Sequence, residues 1–470
     1  MSTIQTRSNE LSSRENAELK SASVPLSGWG RYPVVKGKVC RPNTTRELLY
    51  DMQALDAGEG LLCRGLGRSY GDAAISADSR VLVTSKLDRF LSFDSQNGIV
   101  RCEPGVSFAE IIRTFLPKGW FPAVTPGTKH VTMGGALASD IHGKNHHYEG
   151  SFIDFVKSFS LITADNQAVE CSREKNSQLF WASAGGMGLT GIVSEIELQL
   201  RAVENQFIVL KRISCAGLAA TFKAIEDNEK GYPYSVSWID CVAGGSALGR
   251  SILILGRHAN KTDLKDSGEA LNYTDPKQKV KVPLDLPSWL LNRYSIGAFN
   301  SLYYHVFGGD GQEKLSHYEP FFYPLDAVLD WNRLYGKSGF IQYQCALPLD
   351  TSKAGMEEIV SLCSKRGRSS FLAVLKKFGA GHRLLSFPIE GYTLALDIPV
   401  KDGLFEFTRE LDELVLKYGG RIYLAKDSCV DAESFAKMYE DDLPKWKEIK
   451  RGVDPTNLFR SAQSERLKLY

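Results

Sequence analysis

At 470 residues the chain is long enough for two domains, and an apolar fraction of 43% with a mean hydropathy of −0.20 reads as a soluble globular protein. A formal net charge of +2, without a long basic run, excludes the basic face of a nucleic-acid protein. Nine dispersed cysteines without a Cys-x-x-Cys pair exclude a disulfide framework and read as reduced thiols.

The opening stretch MSTIQTRSNELSSRENAELK lacks an apolar core, which predicts a disordered arm over residues 1–24 and no secretory signal. No apolar run approaches the ~20 residues needed to span a bilayer, so a cytoplasmic protein is expected. TTRELLYDMQALDAG predicts the first helix, with Thr44 and Glu47 at capping-box spacing and Gly58 closing it. LLCRG and VLVTS predict strands on either side of the loop RGLGRSYGD. Ser107 and Glu110 form a second capping box ahead of FAEIIRTFLP. FVKSFSLITAD and AVECS predict a hairpin. In GIVSEIELQLR, Ile196, Leu198 and Leu200 alternate with polar residues, as in a half-buried strand. Beyond residue 205 the strands FIVLKRI, YSVSWIDCV and RSILILG dominate. The charged, aperiodic stretch 258–282 predicts a loop or linker. LPSWLLNRYSIGAFNSLYYHVFGG reads as a helical core segment, or as a surface that meets a lipid chain. LFEFTRELDELVLKYGG is an amphipathic helix stopped by Gly419 and Gly420, and RIYLAKDS is read as a strand ending at Lys426.

The loop Gly65-Leu66-Gly67-x-x-x-Gly71 nearly matches the dinucleotide fingerprint, but its last gap is one residue too long and a strand follows instead of a helix. A tight turn between strands is the plain reading. A glycine-rich loop also lets backbone N–H groups approach a pyrophosphate. A second small-residue segment, Pro126-Gly127-Thr128 with Thr132-Met133-Gly134-Gly135, supports a pair of loops clamping one large phosphate-containing cofactor.

RGLGRSYGD, PGTKHVTMGG, SDIHGKNHH, GGMGLTGI and YLAKDS, in this order, resemble the flavin-binding oxidases of the vanillyl-alcohol oxidase type. More narrowly they resemble the decaprenylphosphoryl-β-D-ribose 2-oxidases, the flavoprotein half of an epimerase that makes a lipid-linked arabinose donor for cell-envelope polysaccharide. SFPIEGYT, DIPVKDGL and GGRIYLAKDS carry the resemblance through the second half; 258–330 matches least. The resemblance implies an α+β fold of two domains. An FAD-binding domain over 25–204 and a β-sheet substrate domain over 205–418 would be followed by a C-terminal segment, 419–470, returning to the first. It implies FAD held by Cys63, Arg64, Gly65, Leu66, Gly67, Arg68, Ser69, Tyr70, Gly71, Asp72, Ala73, Gly127, Thr132, Met133, Gly134, Gly135, Ser139, Asp140, Ile141, His142, Ile192 and Tyr423. Where many relatives carry a flavin-linking histidine, Arg68 stands here; arginine cannot form that bond but pairs with a pyrophosphate, so the flavin is expected to be non-covalent. An NADH-dependent short-chain reductase partner and a peripheral contact with the inner membrane follow from the same resemblance.

His142, His146 and His147 raise a metal cluster, but Gly143 and Asn145 are poor helix formers and no acidic ligand lies close in sequence. No metal is expected; a cofactor-facing turn with His142 and Lys144 nearest the chemistry fits better. Lys426 reads by itself as a solvated lysine. The resemblance instead sets it against flavin and substrate, where an ammonium would stabilise the reduced anion. Gln342 and Gln344 share one strand face by period two, suiting either sugar hydroxyls or an exposed edge. Tyr70 covers the flavin or simply packs. The expected catalytic set is Lys426, His142, Gln344 and Tyr70. The expected substrate contacts are Lys144, Gln342, Gln344, Thr393, Ala395 and Lys426. Mycobacterial members carry a cysteine where Ala395 stands, and an asparagine at Thr393, so the pocket wall is altered here. A free sugar, alditol or sugar lactone is the alternative substrate.

Overall fold

The computed structural model describes residues 23–264, 280–368 and 372–470. Most of the expected arm lies outside the described residues; Ser23 and Val24 open the first strand. Residues 265–279, the middle of the expected linker, also lie outside them.

Helices and strands form an α+β fold around three main sheets. The first has four strands in the order Ser23–Ser27, Val34–Cys40, Ser79–Val83, Gly60–Arg64. The second is antiparallel, in the order Phe90–Asp94, Ile99–Cys102, Ile192–Ala202, Val156–Ile162, Ala168–Ser172. The third has eight strands, in the order Asp310–His317, Phe207–Cys215, Ser251–His258, Tyr234–Ile239, Ala373–Phe378, Gly391–Pro399, Phe340–Pro348, Arg421–Ile422. Helices Leu218–Asn228, Leu349–Arg366 and Leu404–Lys417 cover one face of this sheet. Phe222, Met356, Ile359 and Leu411 join Tyr343, Cys345 and Leu394 there in one buried cluster. The opposite face lines a cavity.

Local signals act as the sequence indicates. Both arms of the Ser107–Glu110 capping box form. The strand Ile192–Ala202 buries every second side chain, and the hairpin pairs Ile162 with Ala168. Thr44 caps the helix Thr45–Gln53, but Glu47 turns to the backbone N–H of Asn43. The expected stop at Gly58 is too late: the helix ends at Gln53, and Gly58 (φ +78°) instead turns the chain into the next strand.

Two further expectations are corrected. The strand before Lys426 is only Arg421–Ile422; just beyond it the Tyr423 carbonyl accepts from the N–H groups of Lys426 and Asp427, so Lys426 lies in a turn. The apolar segment near 290 is a helix, Arg293–Phe307, but not a core one: Ile296 and Asn300 are buried, while Tyr294, Leu302 and Val306 are exposed. No helix among the described residues is long and apolar enough to cross a membrane.

Candidate active site

A cavity of about 970 Å³ lies between the two glycine segments and the other face of the eight-stranded sheet. The segments meet directly: a Cβ at Gly65 would stand 2.2 Å from Thr132 Oγ1. Gly67 has φ +64°, a conformation glycine adopts without strain. Gly71 fixes the loop to the far end of the chain, since a Cβ there would stand 2.0 Å from the Asp427 carbonyl oxygen. Tyr70 N–H donates to the Ala425 carbonyl at 3.0 Å, so the glycine loop and the turn carrying Lys426 are one unit.

Most of the expected contacts meet in this cavity. Cys63, Gly65 to Tyr70 and Ala73 line it from the first segment. Gly127, Thr132, Gly135, Ser139, Ile141, His142 and Lys144 line it from the second, and Gln342, Gln344, Ala395, Tyr423 and Lys426 from the sheet side. Eight expected residues do not line it. Arg64 reaches behind the loop to the carbonyls of Ala74 and Ser27. Gly71 packs on Asp427 and Gly134 on Pro104. Asp72 pairs with Arg466 at 2.8 Å. Met133 and Ile192 are core residues. Asp140 is buried and accepts from the hydroxyls of Ser151 and Ser386 and the N–H of Ile153. Thr393 buttresses the site from behind: its hydroxyl donates to the Cys345 carbonyl at 2.8 Å. These eight serve the framework around the cavity, the two glycines by letting the backbone pack closely.

Charge is concentrated at one end. Lys426 Nζ sits 3.8 Å from the centroid of the Tyr70 ring. Burial pushes its pKa down to about 7, against the pull of Asp397. Asp397 accepts from the Gln342 amide and from the Tyr335 hydroxyl, and burial pushes it up to about 7. Lys144 donates to the Phe321 carbonyl with its ammonium over the Phe321 ring, and burial pushes it down to about 7.

Sequence reasoning missed Lys376. Its Nζ lies 3.0 Å from His142 Nδ1, and His142 Nε2 lies 3.1 Å from Gln344 Nε2. Donor directions can be followed through this chain. Thr393 gives its proton to Cys345, so its oxygen accepts from Gln344 Nε2 at 3.1 Å. The same amide nitrogen then donates to His142 Nε2, and the ring proton lies on Nδ1. Lys376 accepts a hydrogen bond from that N–H only as a neutral amine. Burial, with Lys426 and Lys144 nearby, pushes Lys376 down to about 7, and burial with Lys376 holds His142 well below its usual range. The signal available in sequence was AVLKKF, where period two sends one lysine to each face. Lys377 goes the other way, to Glu229 at 2.6 Å.

The residues present fit a flavin dinucleotide. Bare glycine backbone forms one end of the cavity, and a Cβ at Gly127 would meet nothing within 4 Å. Arg68, its guanidinium 4.2 Å from the centroid of the Trp29 ring, supplies a fixed positive charge beside it. The donor set is rich in cations and suits an anionic, planar group. His146 and His147 lie outside the cavity, and no group of three metal-ligating side chains occurs among the described residues.

Comparison with known proteins agrees with this geometry. Residues 38–172 match the family model "FAD binding domain", and residues 398–467 match "D-arabinono-1,4-lactone oxidase". The chain is 36% identical over 459 residues to decaprenylphosphoryl-beta-D-ribose oxidase of Mycolicibacterium smegmatis, covering 96% of this chain and 99% of that protein. It is 31% identical over 376 residues to an uncharacterized protein of Streptomyces coelicolor, covering 77% of this chain and 100% of that protein. A mitochondrial L-galactono-1,4-lactone dehydrogenase of Oryza sativa is 25% identical over 188 residues, covering 39% of this chain and 32% of that protein. With glycine segments, cationic cavity and near full-length similarity in agreement, the chain belongs to the decaprenylphosphoryl-β-D-ribose oxidase family of FAD-dependent oxidoreductases.

Proposed function

We propose that this enzyme oxidises C2 of the ribofuranose of a polyprenylphosphoryl-β-D-ribose to the 2-keto sugar, the first half of an epimerisation to arabinose. The observation that carries the reading is the two-ended cavity. Lysines and amides gather at the flavin end, while Val236, Trp238, Ile254, Ile296 and Tyr303 extend it as an apolar gallery. A sugar phosphate with a long isoprenoid tail uses both ends; a water-soluble lactone uses one.

When bound, FAD supplies the hydride acceptor. Arg68 and the glycine backbone would hold its pyrophosphate, and Tyr423 would contact it. Gln342 and Gln344 orient the sugar hydroxyls. Lys376, kept neutral by the Thr393–Gln344–His142 chain, takes the proton of the C2 hydroxyl. Lys426, held over Tyr70, places its positive charge where negative charge develops. Lys144 completes the wall, with Thr393 bracing Gln344 from behind. The keto product requires a hydride donor to become arabinose, a task for an NADH-dependent short-chain reductase acting on the released lipid, with this enzyme working at the membrane surface.

Anaerobic mixing tests the reading. Polyprenylphosphoryl ribose should bleach the flavin within the turnover time, while ribose, alditols and sugar lactones should not. Equal bleaching by a free lactone would replace it with the lactone-oxidase reading.

A further inference from the structure

More than half of the large apolar side chains exposed among the described residues lie between 280 and 329, a small part of the chain. Their centre is the helix Arg293–Phe307, about 22 Å long at 1.5 Å per residue. Tyr294, Ala298, Leu302 and Val306 follow one another at i, i+4 spacing and form a single ridge. Tyr294 is 87% exposed, Leu302 64% and Val306 60%. Trp289, just ahead of the helix, is 71% exposed.

The other flank of the helix is firmly held. Ile296 and Asn300 are buried, and Asn300 donates to Asp240 at 2.8 Å. Tyr303 packs on Trp238 at 4.8 Å. The ridge is therefore fixed facing outward. It is not a core stripe that has lost its partner helix, because the inward positions already have their partners.

This helix is also a wall of the active-site cavity. Leu290, Leu291, Ile296 and Tyr303 line the cavity from inside. Phe299 both lines it and is 44% exposed, so the gallery reaches the surface at the apolar ridge. Charge narrows the occupant. Between 280 and 309 the charged residues are Lys281, Arg293 and Asp285; Asp285 is paired with Arg31 and Arg333 and Lys281 with Asp330 at 3.6 Å, which leaves Arg293 to carry the positive charge of the face. The face is apolar, carries an exposed tryptophan and tyrosine, and has no unpaired carboxylate. An apolar ridge with an exposed tryptophan and tyrosine suits the interface of a bilayer, and Arg293 at the start of the helix favours an anionic one.

We propose that the ridge of Arg293–Phe307, with Trp289, docks on an anionic lipid bilayer and that the gallery beside Phe299 opens into it. A polyprenyl chain then reaches the cavity with its far end still in the membrane. The path of the chain rests on the substrate reading above; the docking does not.

Flotation of the FAD-loaded enzyme with phosphatidylcholine vesicles, with and without phosphatidylglycerol, tests the docking. The wild type should float with the anionic vesicles. The combined variant Tyr294→Ser, Leu302→Ser, Val306→Ser should lose that binding by about tenfold or more, since each side chain withdraws its apolar area from the interface. None of the three lines the cavity, so turnover of a short-prenyl, water-soluble substrate should stay within about twofold of wild type, while turnover of the long-chain substrate in vesicles falls. A wild type that stays out of the vesicle fraction, or a variant that floats equally well, overturns the proposal. So does a wild-type dimer that the variant dissolves, because a second copy then covers the ridge. Vesicle binding without turnover of any lipid-linked ribose would sink the substrate reading and leave the docking surface standing. Turnover of the short-prenyl substrate without vesicle binding would do the reverse.

Discussion

Lys426 and Lys376 share one cavity but have different tasks, and the difference is measurable. Lys426→Ala should keep its FAD and lose about 10²–10³ in the rate of flavin reduction, the usual cost of one stabilising charge at a developing anion. A stopped-flow trace at near wild-type rate would remove Lys426 from the mechanism. The pH profile separates the two residues. Lys376 works as the neutral amine, so its contribution rises as pH climbs through about 7. Lys426 works as the ammonium, so its contribution falls as pH climbs through about 7. The profile of flavin reduction should be bell-shaped; Lys376→Met should lose the ascending limb and Lys426→Ala the descending one. A Lys376→Met profile that keeps its acid limb would assign that limb elsewhere. Arg68 gives a simpler outcome. It cannot link to the flavin, so acid precipitation should leave the yellow colour in the supernatant.

At the scale of the element, the strand pair Phe340–Pro348 and Gly391–Pro399 sorts residues into two faces. Gln344 pairs with Ala395 in register, and both face the cavity. Cys345, one step along, is buried on the helix side, where burial pushes its thiol up to about 12. A thiol at 395 should therefore be accessible where Cys345 is not. Ala395→Cys should be alkylated by a small maleimide in the apoprotein and protected when FAD is loaded, as read by intact mass; labelling of Cys345 instead would contradict the register. This alternation was legible from sequence because period two is a local property. So were the Ser107 capping box, the 156–172 hairpin and the glycine segments, all of which close over a few residues. What sequence left hidden depends on distant partners. Which lysine of AVLKKF enters the cavity is decided by the neighbouring strands. The short strand before Lys426 is decided at Tyr423, whose carbonyl accepts from Lys426 and Asp427 and whose hydroxyl bonds to the distant Ser139 carbonyl. The aromatic helix read as core because hydropathy reports a preference for leaving water, not what covers the helix.

On the scale of the whole molecule, Arg466 ties the ends of the site together. It pairs with Asp72 and Asp427, both at 2.8 Å, across a sequence separation of 394 residues from Asp72. Gln463 adds a bond to the Leu424 carbonyl at 2.8 Å. These contacts hold the glycine loop and the Lys426 turn against each other. Arg466→Met would leave two carboxylates facing each other in a largely buried site, at a cost of about 3–5 kcal/mol. Its melting temperature should fall and its flavin should wash out in gel filtration, although residue 466 is absent from the cavity lining. A variant with wild-type melting and flavin content would show that the clamp is ornamental. The clamp also bears on how the enzyme is made. As the chain emerges from the ribosome, both glycine segments are complete long before the turn at 426 and the arginine at 466 exist. A partly synthesised molecule can fold around its first two sheets, yet it has neither the ammonium nor the tie that closes the loop. Flavin reduction on a nascent or truncated chain should therefore be slow, as in the Lys426→Ala variant, until both are in place.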